Sequence, residues 1–287
     1  MDNIDFKNDL LSSIGINDEE FYLLKSYIHK HFGINLTTQK KSLLIGRLQK
    51  VIKDKALNSF NDYYNFLIND STGKAASELI NKISTNHTYF NREKAHFEYY
   101  VNYALPDVLN NNSSTKMKDI RIWCAASSTG EEPYMLTILQ HELSEKIGKL
   151  WDIGLLATDI SIEVLNIAKN GIYETEKLTA MPKRLIQKYM HKFDSSSYQM
   201  NDNLRNQIVF RRFNLMNDFP FKSQFDIIFA RNVMIYFDQQ TRDKLINKFY
   251  NFLKPGGYLF IGHSETLNRA TNKFISVNPA VYQKQPE

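Results

Sequence analysis

The residues best suited to chemistry form one loop in the middle of the chain and one carboxylate beyond it. A mostly apolar stretch at 120–125 leads into Ala126-Ser127-Ser128-Thr129-Gly130-Glu131-Glu132-Pro133, a loop of mostly small side chains. Small side chains let a ligand approach the backbone closely. Asp159 follows Gly130 by 29 residues, at the end of the next apolar run. A carboxylate there can accept hydrogen bonds from both hydroxyls of a ribose; it can equally cap a helix beginning near Ile162. The loop lacks the G-x-G-x-x-G spacing of dinucleotide sites, and its two acids stand where a diphosphate would approach a helix N-terminus. Glu131 and Glu132 would repel a diphosphate, whereas a carboxylate in that place suits the amino or sulfonium charge of a phosphate-free nucleoside such as S-adenosylmethionine. The alternative for one of the two is pairing with the helix dipole, about 0.3–1 kcal/mol.

Groups so far apart in sequence need a sheet to bring them together. Residues 120–125, 154–159, 225–230 and 258–261 read as strands, and 131–146, 162–170 and 239–253 as helices between them. The alternation predicts an α/β, Rossmann-like domain with a largely parallel sheet covered on both faces and its ligand at the carboxyl ends of the strands. Leu253-Lys254-Pro255-Gly256-Gly257 reads as the turn before the last of these strands. Upstream, amphipathic segments at 18–31, 38–55, 59–69 and 74–83 predict a small all-helical N-terminal domain, with Asn17 or Asp18 and Thr37 or Thr38 as N-caps. A bridging helix is expected at 92–109 and a loop at the polar run 110–116. The expected organisation is a helical docking domain over 1–85, a linker helix over 86–116 and the α/β domain over 117–287. A small antiparallel β-subdomain is expected as an insertion at about 179–211, with 182–189 helical and 197–210 forming short strands.

Composition sets the outer bounds. The chain has 287 residues, 43% hydrophobic and 23% charged, with 7 prolines and 11 glycines, which excludes disordered, collagen-like and low-complexity classes. The lone cysteine, Cys124, has no partner for an internal disulfide, in keeping with a reducing compartment. Asp2, Asp5 and Asp9 stand where a secretory signal would need a basic start. No uninterrupted apolar run approaches the about 18 residues of a membrane span. A cytoplasmic protein, without membrane insertion, is therefore expected. The net charge is +5, but residues 21–58 alone hold eight basic side chains against Asp54. On a helix over 38–55, Leu44, Ile45, Leu48, Val51 and Ile52 share one arc, while Lys40, Arg47, Lys50 and Lys53 fall mostly opposite. That cationic face is either a solvated surface or a docking surface for an acidic partner. No recognised nucleic-acid motif accompanies it, so nucleic acid is not the expected partner.

Five ordered strings carry a family resemblance. ISTNHTYFNREKAHF at 83–97, IRIWCAASSTGEEPYM at 120–135, the segment from Ala157-Thr158-Asp159-Ile160 to Gly171-Ile172-Tyr173, FDIIFARNVMIYF at 225–237 and LKPGGYLFIGHSE at 253–265 together resemble the CheR-type chemoreceptor (methyl-accepting chemotaxis protein) glutamate O-methyltransferase family. The match spans nearly the whole chain. It implies S-adenosyl-L-methionine as cofactor, with S-adenosyl-L-homocysteine as product. The implied cofactor pocket comprises Asn86, Thr88, Arg92, Glu131 or Glu132, Asp159, Asn214, Leu215, Arg231 and Asn232. Each has a plainer alternative: turn or cap residues for Asn86 and Thr88, a loop hydrogen-bonder for Asn214, core for Leu215, a surface cation for Arg231. The resemblance also implies that Arg92 and Tyr236 serve catalysis. It further implies that the cationic helix, with Lys40, Arg47, Lys50 and Lys53, docks on chemoreceptor cytoplasmic helices.

The expected reaction gives a glutamate methyl ester. A carboxylate acceptor, with a reference pKa near 4.3, is already ionised and needs no general base. Positioning then dominates, and a guanidinium and a phenol are suitable for it. No metal is expected, and His87 and His263 read as structural. Relatives that bind a receptor-tail peptide carry a Gly-x-Gly loop in the β-subdomain. Here the turn, 191–197, has no glycine, so peptide tethering is not expected. Ala126 replaces a common glycine and Cys124 a frequent serine, both small. The rival readings are a methyltransferase acting on another acceptor such as RNA and a non-catalytic cofactor-binding signalling adaptor. A monomer is expected.

Overall fold

The computed structural model describes residues 14–111, 119–148, 152–268 and 272–285. The acidic N-terminal stretch and residues 112–116 of the polar run lie outside the described residues. The chain divides into two compact units, one holding residues up to 31 with 35–83, the other 32–34 with 84 onward.

The first unit is helical. Helix α1 (Asp18–Phe32) opens with a reciprocal cap. The Glu20 N–H donates to Asn17 Oδ1 at 2.8 Å and the Asn17 N–H to Glu20 Oε2 at 2.9 Å. The helix expected over 38–55 begins as a tight turn, Thr38–Lys40, and becomes α2 at Lys41–Asp54. Thr37 precedes that turn without a side-chain capping bond. Leu44, Leu48, Val51 and Ile52 form the buried face of α2. Next come α3 (Phe60–Asn69), whose Ser59 cap accepts from the Asp62 N–H, and α4 (Lys74–Ile83), which buries Ala75, Leu79, Ile80 and Ile83. The spacing of three and four places these residues on one stripe, and full burial of a Leu or Ile stabilises by about 1.5–3 kcal/mol.

The second unit opens with α5 (Lys94–Tyr99), a π-helical turn at Tyr100–Ala104 and α6 (Leu105–Asn111). Then follow β1 (Asp119–Cys124), α7 (Glu131–Ile147), β2 (Asp152–Asp159), α8 (Ile162–Asn170), β3 (Ile172–Glu174), α9 (Lys183–Tyr189), β4 (Met190–Lys192), β5 (Ser197–Met200) and α10 (Asp202–Gln207). The series ends with β6 (Ile208–Arg212), β7 (Phe225–Ala230), α11 (Gln239–Phe252), β8 (Leu253–Ile261), β9 (Phe274–Asn278) and β10 (Val281–Lys284). A seven-stranded sheet has the order β6-β2-β1-β7-β8-β10-β9. Its first five strands run parallel, and β10 pairs antiparallel with both β8 and β9. Side chains alternate across it. Ile122, Cys124, Ile227, Phe229, Tyr258 and Phe260 join one buried cluster with Tyr100, Leu105 and Tyr134; Trp123, Ile228, Ala230, Leu259 and Ile261 join another with Leu245 and Phe249. The Rossmann-like architecture is the expected one, and none of the helices described is long and apolar enough to cross a membrane.

Two sequence expectations are corrected. Residues 208–211, expected within the inserted antiparallel element, instead belong to β6, which pairs in parallel with β2 from Leu155↔Ile208 to Asp159↔Arg212 and makes the edge of the large sheet. The separate antiparallel sheet is β3-β5-β4, so it starts before 179 and ends at Met200. A short alternating strand carries no mark of which sheet it will join, because both offer one apolar face. Likewise Leu253–Gly257, expected as a turn, already belongs to β8; the strand passes through an irregularity in its pairing with β7 and a φ of +75° at Gly256.

Candidate functional site

Four neighbouring parallel strands deliver most of the expected site residues at their carboxyl ends. Beyond β1 the chain is laid along the adjacent strands, with the Ala125 N–H donating to Phe229 O at 2.8 Å and the Ser127 N–H to Thr158 O at 2.9 Å. Gly130 then starts α7 at φ +98°; a Cβ there would meet the Tyr173 hydroxyl at 2.8 Å and Ala168 Cβ at 2.9 Å. Only glycine fits both the conformation and the space.

At the end of β2, Asp159 is 8% exposed. Its Oδ2 accepts from the Ser128 N–H and its Oδ1 from the Ser161 N–H, each at 2.9 Å. Ser161, not Asp159, caps α8 by accepting from the Val164 N–H, which removes the capping alternative for the aspartate. Each Asp159 oxygen keeps acceptor capacity, the number a ribose diol requires. Burial pushes this carboxyl up from its ordinary value, opposed by the main-chain N–H groups that favour the ionised form.

The adjacent acids diverge. Glu131 is fully buried; its Oε2 accepts from the Thr129 hydroxyl at 2.6 Å, and its Oε1 has no hydrogen-bond partner among the described residues. Burial pushes its carboxyl up. Glu132 is ion-paired with Arg231 and lies 3.4 Å from Cys124 Sγ. The Cys124 thiol is buried, and that burial, with the Glu132 charge beside it, raises it well above the usual thiol range.

Beyond β7, Arg231 is not a surface cation. Its side chain is 3% exposed; it pairs with Glu132 and, at 3.2 Å, with Glu93. It also donates to Arg92 O and packs over the Phe97 ring. Asn232, at φ +56°, donates from Nδ2 to Glu93 Oε1 at 3.1 Å. Burial would raise Glu93, yet the His96 ring 3.2 Å away, the hydrogen bond from Asn232 and the Arg231 charge hold it well below the usual carboxylate range. Arg92 is half-buried, with Nη1 donating to His87 O at 2.8 Å and the guanidinium 5.9 Å over the Tyr89 ring. The Tyr236 hydroxyl donates to Thr85 O at 3.2 Å. Asn86 O accepts from Ser128 Oγ at 3.3 Å, which ties this linker stretch to the same serine that holds Asp159. The segment 85–92 is thus fastened to the ends of both β1 and β7.

The remaining expected residues are placed less centrally. Thr88 is half-buried and makes no side-chain hydrogen bond among the described residues. Asn214 follows β6 and builds a turn by accepting from the Met216 N–H at 3.0 Å; Leu215 is buried in the Trp123 cluster. In the first unit, Lys50 is exposed and Lys40 and Lys53 are partly so. Arg47 differs, because its guanidinium donates to Lys82 O and Ile83 O and satisfies carbonyls at the end of α4.

Sequence reasoning missed Glu93, His96 and Glu265. Glu93, His96 and His263 place three possible ligand atoms within 4.8 Å of one another, a grouping hidden by the separation of 96 and 263 in the chain. Both Glu93 oxygens are already engaged, by Arg231 and His96 on one and by Asn232 and the His263 N–H on the other. Such a carboxylate acts as a brace. Glu265 closes the "GHSE" string, where its regular context gave no sign of chemistry.

A parallel sheet whose strand ends combine a small-residue loop, a buried aspartate with spare acceptor capacity and an unpaired buried glutamate oxygen fits a phosphate-free nucleoside with a cationic tail. The class so defined is a methyltransferase that uses S-adenosylmethionine, and residues 86–282 match the family model "CheR methyltransferase, SAM binding domain". Residues 19–84 match "CheR methyltransferase, all-alpha domain". The chain belongs to the CheR methyltransferase family. It is 41% identical over 279 residues to the chemotaxis protein methyltransferase of Borreliella burgdorferi, covering 97% of this chain and 98% of that protein. It is 32% identical to chemotaxis protein methyltransferase 2 of Vibrio cholerae, covering 92% and 91%, and 32% identical to the Escherichia coli chemotaxis protein methyltransferase, covering 94% and 92%.

Proposed function

We propose that this enzyme methylates glutamate side chains on the cytoplasmic helices of chemoreceptors, giving γ-carboxyl methyl esters. The reading rests on relatives named for chemotaxis and, above all, on the Asp159 carboxylate held at a strand end by two main-chain N–H groups with capacity left for a ribose. S-Adenosylmethionine, when bound, supplies the electrophilic methyl carbon. Asp159 holds the ribose and Glu131, through its unpaired Oε1, takes the cofactor's cationic end, while Glu132 is reserved for Arg231. Arg92 keeps donors beyond the one used on His87 O, and these orient the acceptor carboxylate. A full bidentate clamp would tie up the attacking lone pairs, so the role of Arg92 is orientation. Tyr236 lends its phenol to the same alignment. Bringing the reacting groups into line supplies much of the rate, about 7–11 kcal/mol in favourable intramolecular reactions. Charge is neutralised along the path, so exclusion of water also helps.

Docking falls to Lys40, Lys50 and Lys53, with Arg47 adding positive potential while bound to the end of α4. Lysines so exposed steer an acidic partner more than they grip it. Purified enzyme incubated with methyl-labelled S-adenosylmethionine and receptor cytoplasmic fragments should transfer label that mild base releases. Base-stable label would exclude a carboxyl ester, and transfer to RNA instead would overturn the assignment of the acceptor.

A further inference from the structure

Asn232 is held from two sides by carboxylates that the methyl transfer itself does not require. Glu265 is 5% exposed. Its Oε2 accepts from the N–H groups of Asn232 at 2.9 Å and Gly262 at 2.6 Å; its Oε1 accepts from those of Met234 at 2.7 Å and Ile235 at 3.1 Å. An ionised carboxylate offers about four lone-pair sites, so all are filled, entirely by main-chain donors. No ion pair among the described residues involves Glu265, and a buried charge of this kind persists only where its hydrogen bonds are complete. The four donors come from the ends of β7 and β8, and three of them lie in the turn that carries Asn232 and Tyr236.

The second carboxylate sets the sense of the Asn232 amide. Glu93 Oε1 is an acceptor, so the amide must direct its NH2 group there, as the 3.1 Å contact has it. Oδ1 then faces elsewhere and has no partner among the described residues. Gly262 makes the arrangement possible, since a Cβ at that position would sit 2.3 Å from Asn232 Nδ2. The positive φ of Asn232 is a conformation that surrounding structure must enforce.

We propose that Glu265 and Glu93 are positioning residues for the cofactor. Glu265 fixes the main chain of Asn232, and Glu93 fixes its amide so that an acceptor oxygen, not a donor, meets the cofactor's ammonium. The inference rests on Asn232 being a cofactor contact. The test uses the full-length enzyme and S-adenosylhomocysteine as calorimetric probe, with thermal unfolding to verify each variant's fold. Glu265→Gln turns an NH2 group toward two N–H donors, so the Kd should rise at least about tenfold; Glu265→Asp, which keeps the charge, should recover part of the loss. Glu93→Ala should weaken binding about fivefold or more, and Glu93→Gln, which still offers an oxygen to Asn232, should recover most of it. Because both act through Asn232, Glu265→Gln combined with Asn232→Ala should bind no more than about twofold worse than Asn232→Ala alone. Wild-type affinity in folded Glu265→Gln or in Glu93→Ala, or additive losses in the double variant, would overturn the positioning role while leaving Asn232 as a contact. Wild-type affinity in Asn232→Ala would instead remove the contact and the inference with it. Should Glu265→Gln not fold, the Glu93 pair still decides the amide part.

Discussion

The two units handle charge in opposite ways. On the helical unit, Lys50 stands exposed in water and the neighbouring Lys40 and Lys53 are only partly covered. At the strand ends of the α/β unit, Arg231, Glu93, Glu132, Asp159 and Glu265 are withdrawn from solvent and held by partners. Exposed charges contribute below about 1 kcal/mol each, and salt screens them within about 10 Å. A buried pair that loses one member leaves the other desolvated, at about 3–5 kcal/mol. One set of charges is free to meet a partner in solvent and the other is fixed in geometry, so the same kind of substitution should have unlike consequences in each.

The largest effect should come from Arg231→Met, which strands Glu132 and Glu93. We expect a stability loss of about 3–5 kcal/mol in denaturant unfolding; a loss below 1 kcal/mol would mean those carboxylates are not truly desolvated. Asp159→Ala should come next, weakening S-adenosylhomocysteine binding about a hundredfold by calorimetry, and unchanged binding would remove it from the pocket. Tyr236→Phe should slow turnover about tenfold while the cofactor Kd stays put; equal losses in both would make it a binding residue. On the helical unit, Lys50→Glu with Lys53→Glu should raise KM for receptor fragments several-fold at low salt, and the difference should shrink as salt is added. A salt-independent KM would show that these lysines do not steer the partner. Gly46→Ala should have the smallest effect and the opposite sign. Gly46 lies within α2 with nothing within 4 Å of an added Cβ, so alanine should stabilise by about 0.5–1 kcal/mol in thermal unfolding.

Legibility in the sequence followed how local each feature's contacts are, in both units. The central strands could be read directly because β7 is buried at every position and its flanking helices are periodic. The loop after β1 and the aspartate after β2 were legible because their chemistry is local: small residues, then a carboxylate at a strand end. Glu265 and Glu93 were not, since their meaning lies in contacts 30 and 139 residues away. The bonds Arg47 makes to α4 were hidden for a related reason. Its place on the helical wheel matches that of its lysine neighbours, but the end of α4, 35 residues on, offers carbonyls for a guanidinium to bind. The strand at 208–212 went to the wrong sheet because pairing partners are a property of topology, which alternation does not encode.

The state of Cys124 has a practical side. A sulfur sealed in the interior, with its proton held tightly by the acid next to it, stays unreactive toward maleimides and mild oxidants. Since the chain has no second cysteine, a probe attached through a cysteine newly placed on α2 would report from one position, without altering the native sulfur. The proposed docking of the helical unit can therefore be tested by fluorescence in otherwise unmodified protein.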